Sequence, residues 1–198
     1  PLDTLMQEMK SKTRYNIRLS FRKGVTVQEY GSAGDSDRWH KALQQWYELY
    51  KETAVRDKIV IHAYSYYENL FSTACTNPKS PQMSLFMAEA EGQLLAGIIV
   101  CFHKKGATYL YGASSNRKRN RMPNYAVQWK AIERARERGC SWYDFFGIPS
   151  TQDPDSPLAG LYRFKVGFGG EIVHRPGCWD YSFRPLVYYC YLIAETPR

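Results

Sequence analysis

No stretch of this 198-residue sequence is apolar over the ~18 residues that a membrane-crossing helix needs, and the apolar segment from Tyr188 to Ala194 is far shorter. The opening residues lack the pattern of a secretory signal. The expected location is therefore the cytoplasm, with the inner face of the membrane as the alternative. Cysteine is sparse: positions 75, 101, 140, 178 and 190 are scattered and form no close pair with one another, which argues against a disulfide scaffold or a structural zinc site. Cys140, followed by an apolar pattern, reads as buried and inert. No repeat or low-complexity tract is present, and neither an RNA-recognition aromatic pattern nor zinc-finger spacing appears. Acidic residues are absent from two places. None lies among Lys10, Lys12, Arg14, Arg18, Arg22 and Lys23, and none within the run Arg117, Lys118, Arg119 and Arg121.

What is present describes one globular domain with an excess of positive charge. A charged fraction of 23% and a hydrophobic fraction of 44% suit a folded core, and the formal net charge is +8. The two acid-free runs favour an anionic partner such as RNA, a nucleotide or an acidic membrane. Aromatic residues reach 15%, including 16 tyrosines, which equips a groove to stack on a ligand or hydrogen-bond it.

Periodicity assigns the elements. Residues 1–23 read as helical, with Leu2, Leu5, Met6 and Met9 on one side, ending before Gly24. Residues 31–37 are a turn-rich connection, and Trp39, Leu43, Trp46, Tyr47 and Tyr50 then recur at helical spacing. His62 and Tyr66 stand four apart in a polar and aromatic cluster, and residues 75–81 form a loop. Residues 83–90, 93–103 and 108–111 read as strands, Pro123 opens a helix that ends near Gly139, and residues 140–147 read as a buried strand. Asp144 in that strand is positioned to orient a catalytic group or to serve as an internal acceptor. A polar loop over 149–157 leads to LYRFKVGFGGE at 161–171, where Leu161, Phe164 and Phe168 anchor the chain and Gly167, Gly169 and Gly170 permit close approach or positive φ. Lys165 within it suits a negative charge on phosphate or on a tetrahedral oxyanion. Residues 179–194 are expected to make a strand or turn followed by a docked helix or strand. The order favours a single mixed α/β domain.

Several segments, taken in order, resemble the FemABX family of aminoacyl-tRNA-dependent peptidyltransferases: KTRYNIRLSFRKGV at 12–25, YYENLF at 66–71, YGASSNRKRNRMPNYAVQWKAI at 111–132, and WYDFFGIP followed by LYRFKVGFGGE. The resemblance implies a GCN5-related N-acetyltransferase-like mixed sheet flanked by helices. Residues 1–23 would be a helical extension or the last helix of a preceding domain, and 24–198 a second acyltransferase-like domain. It further implies an enzyme that transfers an amino acid from aminoacyl-tRNA to a primary amine of a peptidoglycan precursor by direct attack, with a peptide natural-product intermediate as a variant acceptor. No metal, ATP or other cofactor is expected at that step. A partner chain, or self-association, would stand in for most of a first domain.

On the same resemblance Lys165 is the catalytic residue and also contacts tRNA, with Phe164 at the acceptor end. Lys12, Arg14 and Arg18 belong to the basic run expected to hold tRNA. His62, Tyr66, Tyr111, Arg119, Arg121 and Tyr125 line the acceptor groove. His62 stands where the family pattern places an arginine, and it lacks both the permanent charge and the bidentate fork. Two other classes stay open: an acyl-CoA N-acyltransferase, although SNRKRNRMPNY replaces the glycine-rich pyrophosphate loop such enzymes carry before a helix, and a noncatalytic binding domain.

Overall fold

The computed structural model describes residues 1–32, 36–76, 80–148, 155–156, 158–177 and 179–195. Thr26–Gly31 (β1), Gln82–Ala90 (β2), Gln93–His103 (β3), Gly106–Ser114 (β4) and Trp142–Asp144 (β5) form one sheet in sequence order. The first three pairings are antiparallel and β4–β5 is parallel. A parallel neighbour requires a crossover, and Pro123–Glu137 (α5) supplies it. Pro123 at its first turn loses no hydrogen bond there, as the sequence leads one to expect.

Both faces of the sheet are covered, which is why β2 and β3 read as nearly continuous apolar runs. Phe86, Ile98, Val100 and Phe102 face α5 through Ala126, Val127, Ala131 and Ala135. Leu85, Met87 and Ile99 face Ser36–Asp57 (α3) and Tyr64–Thr76 (α4), whose Leu43, Trp46, Tyr67 and Phe71 fill the second layer.

Several expectations need correction. Residues 1–22 make two helices, Leu2–Glu8 (α1) and Ser11–Arg22 (α2), because Met9 and Lys10 are extended. The second packs Ile17 against Trp129 and Ile132 of α5. β1 was not expected, and Gly31, assigned to a turn, closes it. The strand expected over 140–147 is only Trp142–Asp144, and Trp142 is 54% exposed. The segment around Lys165 is helical, Ala159–Gly167 (α6), and Leu161 lies at its exposed side. Pro185–Glu195 (α7) is a helix, but Leu186, Val187, Tyr189 and Ile193 are exposed, so the docked arrangement expected of the tail is not seen. Most of the 149–157 loop lies outside the described residues.

Candidate active site

β5 pairs with only the first three residues of β4, Gly106 to Thr108. From Tyr109 onward the two chains part, and α6 brings Lys165 to the opening. At the same point β3 pairs Val100 with Tyr109 and Ile99 with Tyr111, so Leu110 is an extra residue in the ladder. Such a bulge reverses the alternation of side chains. Tyr109 consequently packs with the α5 layer, while Tyr111 packs with the α3–α4 layer. Gly112 completes this arrangement, since a side chain there would collide with the Tyr109 hydroxyl and ring.

Lys165 is 8% exposed. Its Nζ donates to the Gly147 carbonyl at 2.8 Å and lies 5.2 Å from the centre of the Tyr109 ring. Burial pulls its pKa down to about 8, against an opposing pull from the Asp144 carboxylate. Asp144 Oδ1 accepts from the Phe146 amide at 2.7 Å, and Phe146 itself has φ of +62° while 62% exposed. An aromatic residue seldom adopts that conformation, so the Asp144 turn holds the backbone that aims Gly147 at the ammonium. Arg175 lies 3.8 Å from the other Asp144 oxygen. Burial also pushes the Tyr109 hydroxyl up to about 12 and the Tyr143 hydroxyl well above its usual range, so both stay neutral.

The rings of Phe164 on α6 and Phe168 just past its end lie 5.3 Å apart, and Tyr125 joins them, 5.0 Å from Phe164 and 5.9 Å from Phe168. The expected glycine conformations are present: Gly169 and Gly170 have φ of +81° and +85°.

A separate cluster forms across the sheet. The His62 and Tyr66 rings stack at 4.2 Å, and the Tyr66 and Tyr111 hydroxyls lie 3.1 Å apart. Tyr47 donates to the His62 carbonyl, the His62 amide donates to the Tyr67 hydroxyl, and Tyr50 packs on Tyr67 and Tyr111. Burial raises the Tyr67 and Tyr111 hydroxyls above their usual range. The structure thus brings His62, Tyr66 and Tyr111 together and leaves the other expected groove residues elsewhere. Tyr125 belongs with Phe164. Arg121 pairs with Glu91 and donates to the Lys23 carbonyl, while Lys118 pairs with the same Glu91. Arg119 approaches Asp57, whose carboxyl is held low first by its hydrogen bond to Arg56. On α2, Lys12 and Arg18 are exposed, and Arg14 caps α1 by donating to the Gln7 and Met9 carbonyls. Tyr109 and Gly147 were missed by the sequence reading. The alternation in TYLYG at 108–112 was the available signal, and it points both tyrosines to one face because the bulge is not visible in it.

A family model described as FemAB family matches residues 2–77 and 78–196. The chain belongs to the FemAB family. It is 38% identical over 106 residues to a lipid II:glycine glycyltransferase of Staphylococcus saprophyticus, a match that covers 54% of this chain and 26% of that protein. A protein of the same name from Staphylococcus aureus is 25% identical over 249 residues, covering 94% and 57%. This FemAB-family chain therefore spans about half, or less, of the length of the curated relatives it matches. Among solved structures, FemX superposes with a TM-score of 0.73 at 23% identity, over 85% of this chain and 56% of that one. An aminoglycoside acetyltransferase from a soil metagenome gives 0.53 at 10% identity, over 81% and 97%. The fold is accordingly the acetyltransferase-like mixed sheet flanked by helices. No helix among the described residues is long and apolar enough to cross a membrane.

Proposed function

We propose that this chain carries the transfer site of an aminoacyltransferase that moves an amino acid from aminoacyl-tRNA to a primary amine of a peptidoglycan precursor. The amine attacks the ester carbonyl directly, an amide forms, and the ribose hydroxyl leaves. FemAB membership and the likeness to lipid II:glycine glycyltransferases support the reaction class and the acceptor.

The observation that carries the reading is the buried Lys165 ammonium, fixed by Gly147 and Tyr109 at the mouth between β4 and β5. A cation held in a dry site interacts strongly with charge that appears only in the transition state. The tetrahedral oxyanion of acyl transfer is such a charge. Lys165 acts protonated, Phe164 lies beside it against Tyr125, and the His62, Tyr66 and Tyr111 cluster contributes to acceptor binding. No step calls for an enzyme-bound acyl group, so attack within a ternary complex is preferred to a covalent relay.

An acyl-CoA donor is the competing reading. The approach to α5 that would cradle a pyrophosphate instead has Lys118 and Arg121 engaged by Glu91. The test offers charged tRNA and acyl-CoA separately to the purified chain with defined acceptor amines, with the product identified by mass. An amide formed only from charged tRNA and lost after RNase treatment is expected. Product from acyl-CoA, insensitive to RNase, would overturn the reading.

A further inference from the structure

One polar group inside the α5 layer is not used by the fold. Gln128 is 1% exposed; its Oε1 accepts from the Tyr143 hydroxyl at 2.8 Å, while its Nε2 has no hydrogen-bond partner among the described residues. The other two buried side-chain nitrogens without a hydrogen bond are accounted for or belong elsewhere. Arg134 Nε lies 2.7 Å from Glu29, and Trp39 packs in the α3–α4 layer on the far side of the sheet. An amide N–H left unpaired in an apolar interior destabilises a fold, and leucine would fill nearly the same space without that cost.

The surroundings of the amide are those of the candidate site. Gln128 follows Tyr125 by three residues, so the two lie on one side of α5. Tyr125 packs on Phe168, Phe168 lies 5.0 Å from Phe145, and Phe145 lies 5.1 Å from Tyr143, which returns to Gln128. Four aromatic rings thus close a circuit with the amide. Phe164, the residue before Lys165, packs on two of them. Tyr109, whose ring carries the Lys165 ammonium, packs in the same layer as Tyr143. Burial first, and Tyr109 second, keep the Tyr143 hydroxyl protonated, so it can donate to Oε1 and turn Nε2 away from itself.

We infer that Gln128 is a specificity-determining residue of the donor pocket, its Nε2 donating to an oxygen on the side chain of the amino acid being transferred, so that serine is preferred to alanine or glycine. The inference rests on the aminoacyl-donor reading. Under that reading Lys165 serves the ester carbonyl, and the amino-acid side chain is the part of the donor with no residue yet named for it. The chemistry of the amide narrows the choice. Nε2 carries two protons and no lone pair to offer, so it repels the α-ammonium and fits a neutral acceptor. The circuit of rings disfavours a charged side chain, and a hydroxyl is the smallest group that supplies an accepting oxygen. A pocket that selects by size alone separates serine from alanine poorly, whereas a buried donor that pairs with only one of them adds a hydrogen bond to the difference.

One tRNA charged in turn with serine, alanine and glycine tests it, with a single defined acceptor. In wild type kcat/KM should be about 10-fold higher for the seryl donor than for the alanyl donor, the worth of one hydrogen bond to a buried group. The Gln128→Leu, Tyr143→Phe double variant removes the amide and its partner together while keeping their shapes. It should bring that ratio to about 1 and unfold at a denaturant midpoint no lower than that of wild type. Tyr143→Phe alone frees the amide to turn over and should give an intermediate ratio. Equal kcat/KM for the three donors in wild type, or a seryl preference that survives in the double variant, would overturn the inference. So would a double variant that unfolds at markedly lower denaturant, because the amide would then serve the fold through a buried water. The donor reading fails separately. Should no charged tRNA give product, that reading falls, and seryl- and alanyl-adenosine with an amide in place of the ester are titrated into protein carrying ¹⁵N-labelled glutamine. A shift of the Gln128 amide signal, assigned by its loss in the double variant, with the seryl compound alone keeps the pocket; equal shifts or none sink it as well. RNase-sensitive transfer at equal kcat/KM for all three amino acids sinks the pocket and leaves the reading.

Discussion

Tyr109 and Tyr111 are two residues apart on one strand and serve opposite faces of the sheet, in surroundings of opposite electrical character. The Tyr109 side buries one cation, Lys165, with a single carbonyl for a partner and a carboxylate nearby. The Tyr111 side gathers neutral hydroxyls that satisfy one another and the backbone around His62. A neutral network closed on itself is stable as it stands. A buried ammonium with one hydrogen bond retains unmet demand for negative charge. On the proposed function this difference gives chemistry to the first face and ligand contact to the second, and each experiment below either breaks that division or sharpens it.

The largest expected effect is on the charged face. Lys165→Ala should lower single-turnover transfer by ~10²-fold or more, roughly 3 kcal/mol of transition-state stabilisation. Rapid-quench transfer at saturating donor and acceptor measures it, and equal rates for the two folded proteins would remove Lys165 from the chemistry. The same burial makes the opposite forecast for stability. Because the native pKa is about 8 and the unfolded one is near the ordinary lysine value, the unfolded chain holds the extra proton between those limits. The Lys165 contribution therefore disfavours the fold below pH 8 and fades as pH rises toward 10. Lys165→Met should be the more stable protein at pH 7, by at most about 3 kcal/mol, with the gap closing at high pH. Denaturant unfolding at both pH values decides it; a gap independent of pH would mean that the charge is not the cause.

Two smaller perturbations reach the same face indirectly. Gly112→Ala places a methyl against the Tyr109 hydroxyl and should cost about 1–3 kcal/mol of stability through overpacking. Its measured effect should fall on Tyr109 and Lys165 and leave acceptor affinity unchanged. Asp144→Asn keeps an oxygen for the Phe146 amide but removes the charge that raises the Lys165 pKa. Lys165 should then titrate at lower pH, seen by NMR of the labelled amine, and the alkaline loss of transfer should move with it. An unmoved titration would leave Asp144 a purely structural acceptor.

How far these faces could be read from sequence depended on what kind of signal each left. The strands β2 and β3, the Pro123 helix and the aromatic stripe of α3 were legible because burial on one face or two imposes a period on the residues themselves. Lys165 was legible as a lysine among anchors and glycines, although its helix was not: Gly167, Gly169 and Gly170 suggested a turn, and α6 ends just before two of them. β1 was hidden because TVQEYG carries no clear alternation and is held by its pairing with β2. The bulge at Leu110 was invisible, since nothing in TYLYG marks which residue leaves the ladder, and with it went Tyr109. Arg119, Arg121 and Tyr125 were grouped with His62 on the family resemblance, which carries no information on their side-chain partners in this chain. In space, Glu91 draws Arg121 to the end of α2, and α5 turns Tyr125 toward Phe168.

The smallest expected effect tests the neutral face. Tyr66→Phe removes one of two hydroxyls 3.1 Å apart and leaves the stack on His62 intact, so the loss of stability should be only about 0.5–1.5 kcal/mol, the value of one hydrogen bond. Tyr111 loses the partner that helps to raise its pKa, the larger cause being burial, so its hydroxyl should ionise at lower pH in a spectrophotometric titration. If this cluster only holds the acceptor, KM for the acceptor rises while the single-turnover rate at saturation is preserved, because an interaction made equally in ground and transition states changes binding alone. A fall in that rate with KM unchanged would mean that Tyr66 acts on the reacting atoms. The division of labour between the two faces of β4 would then be wrong.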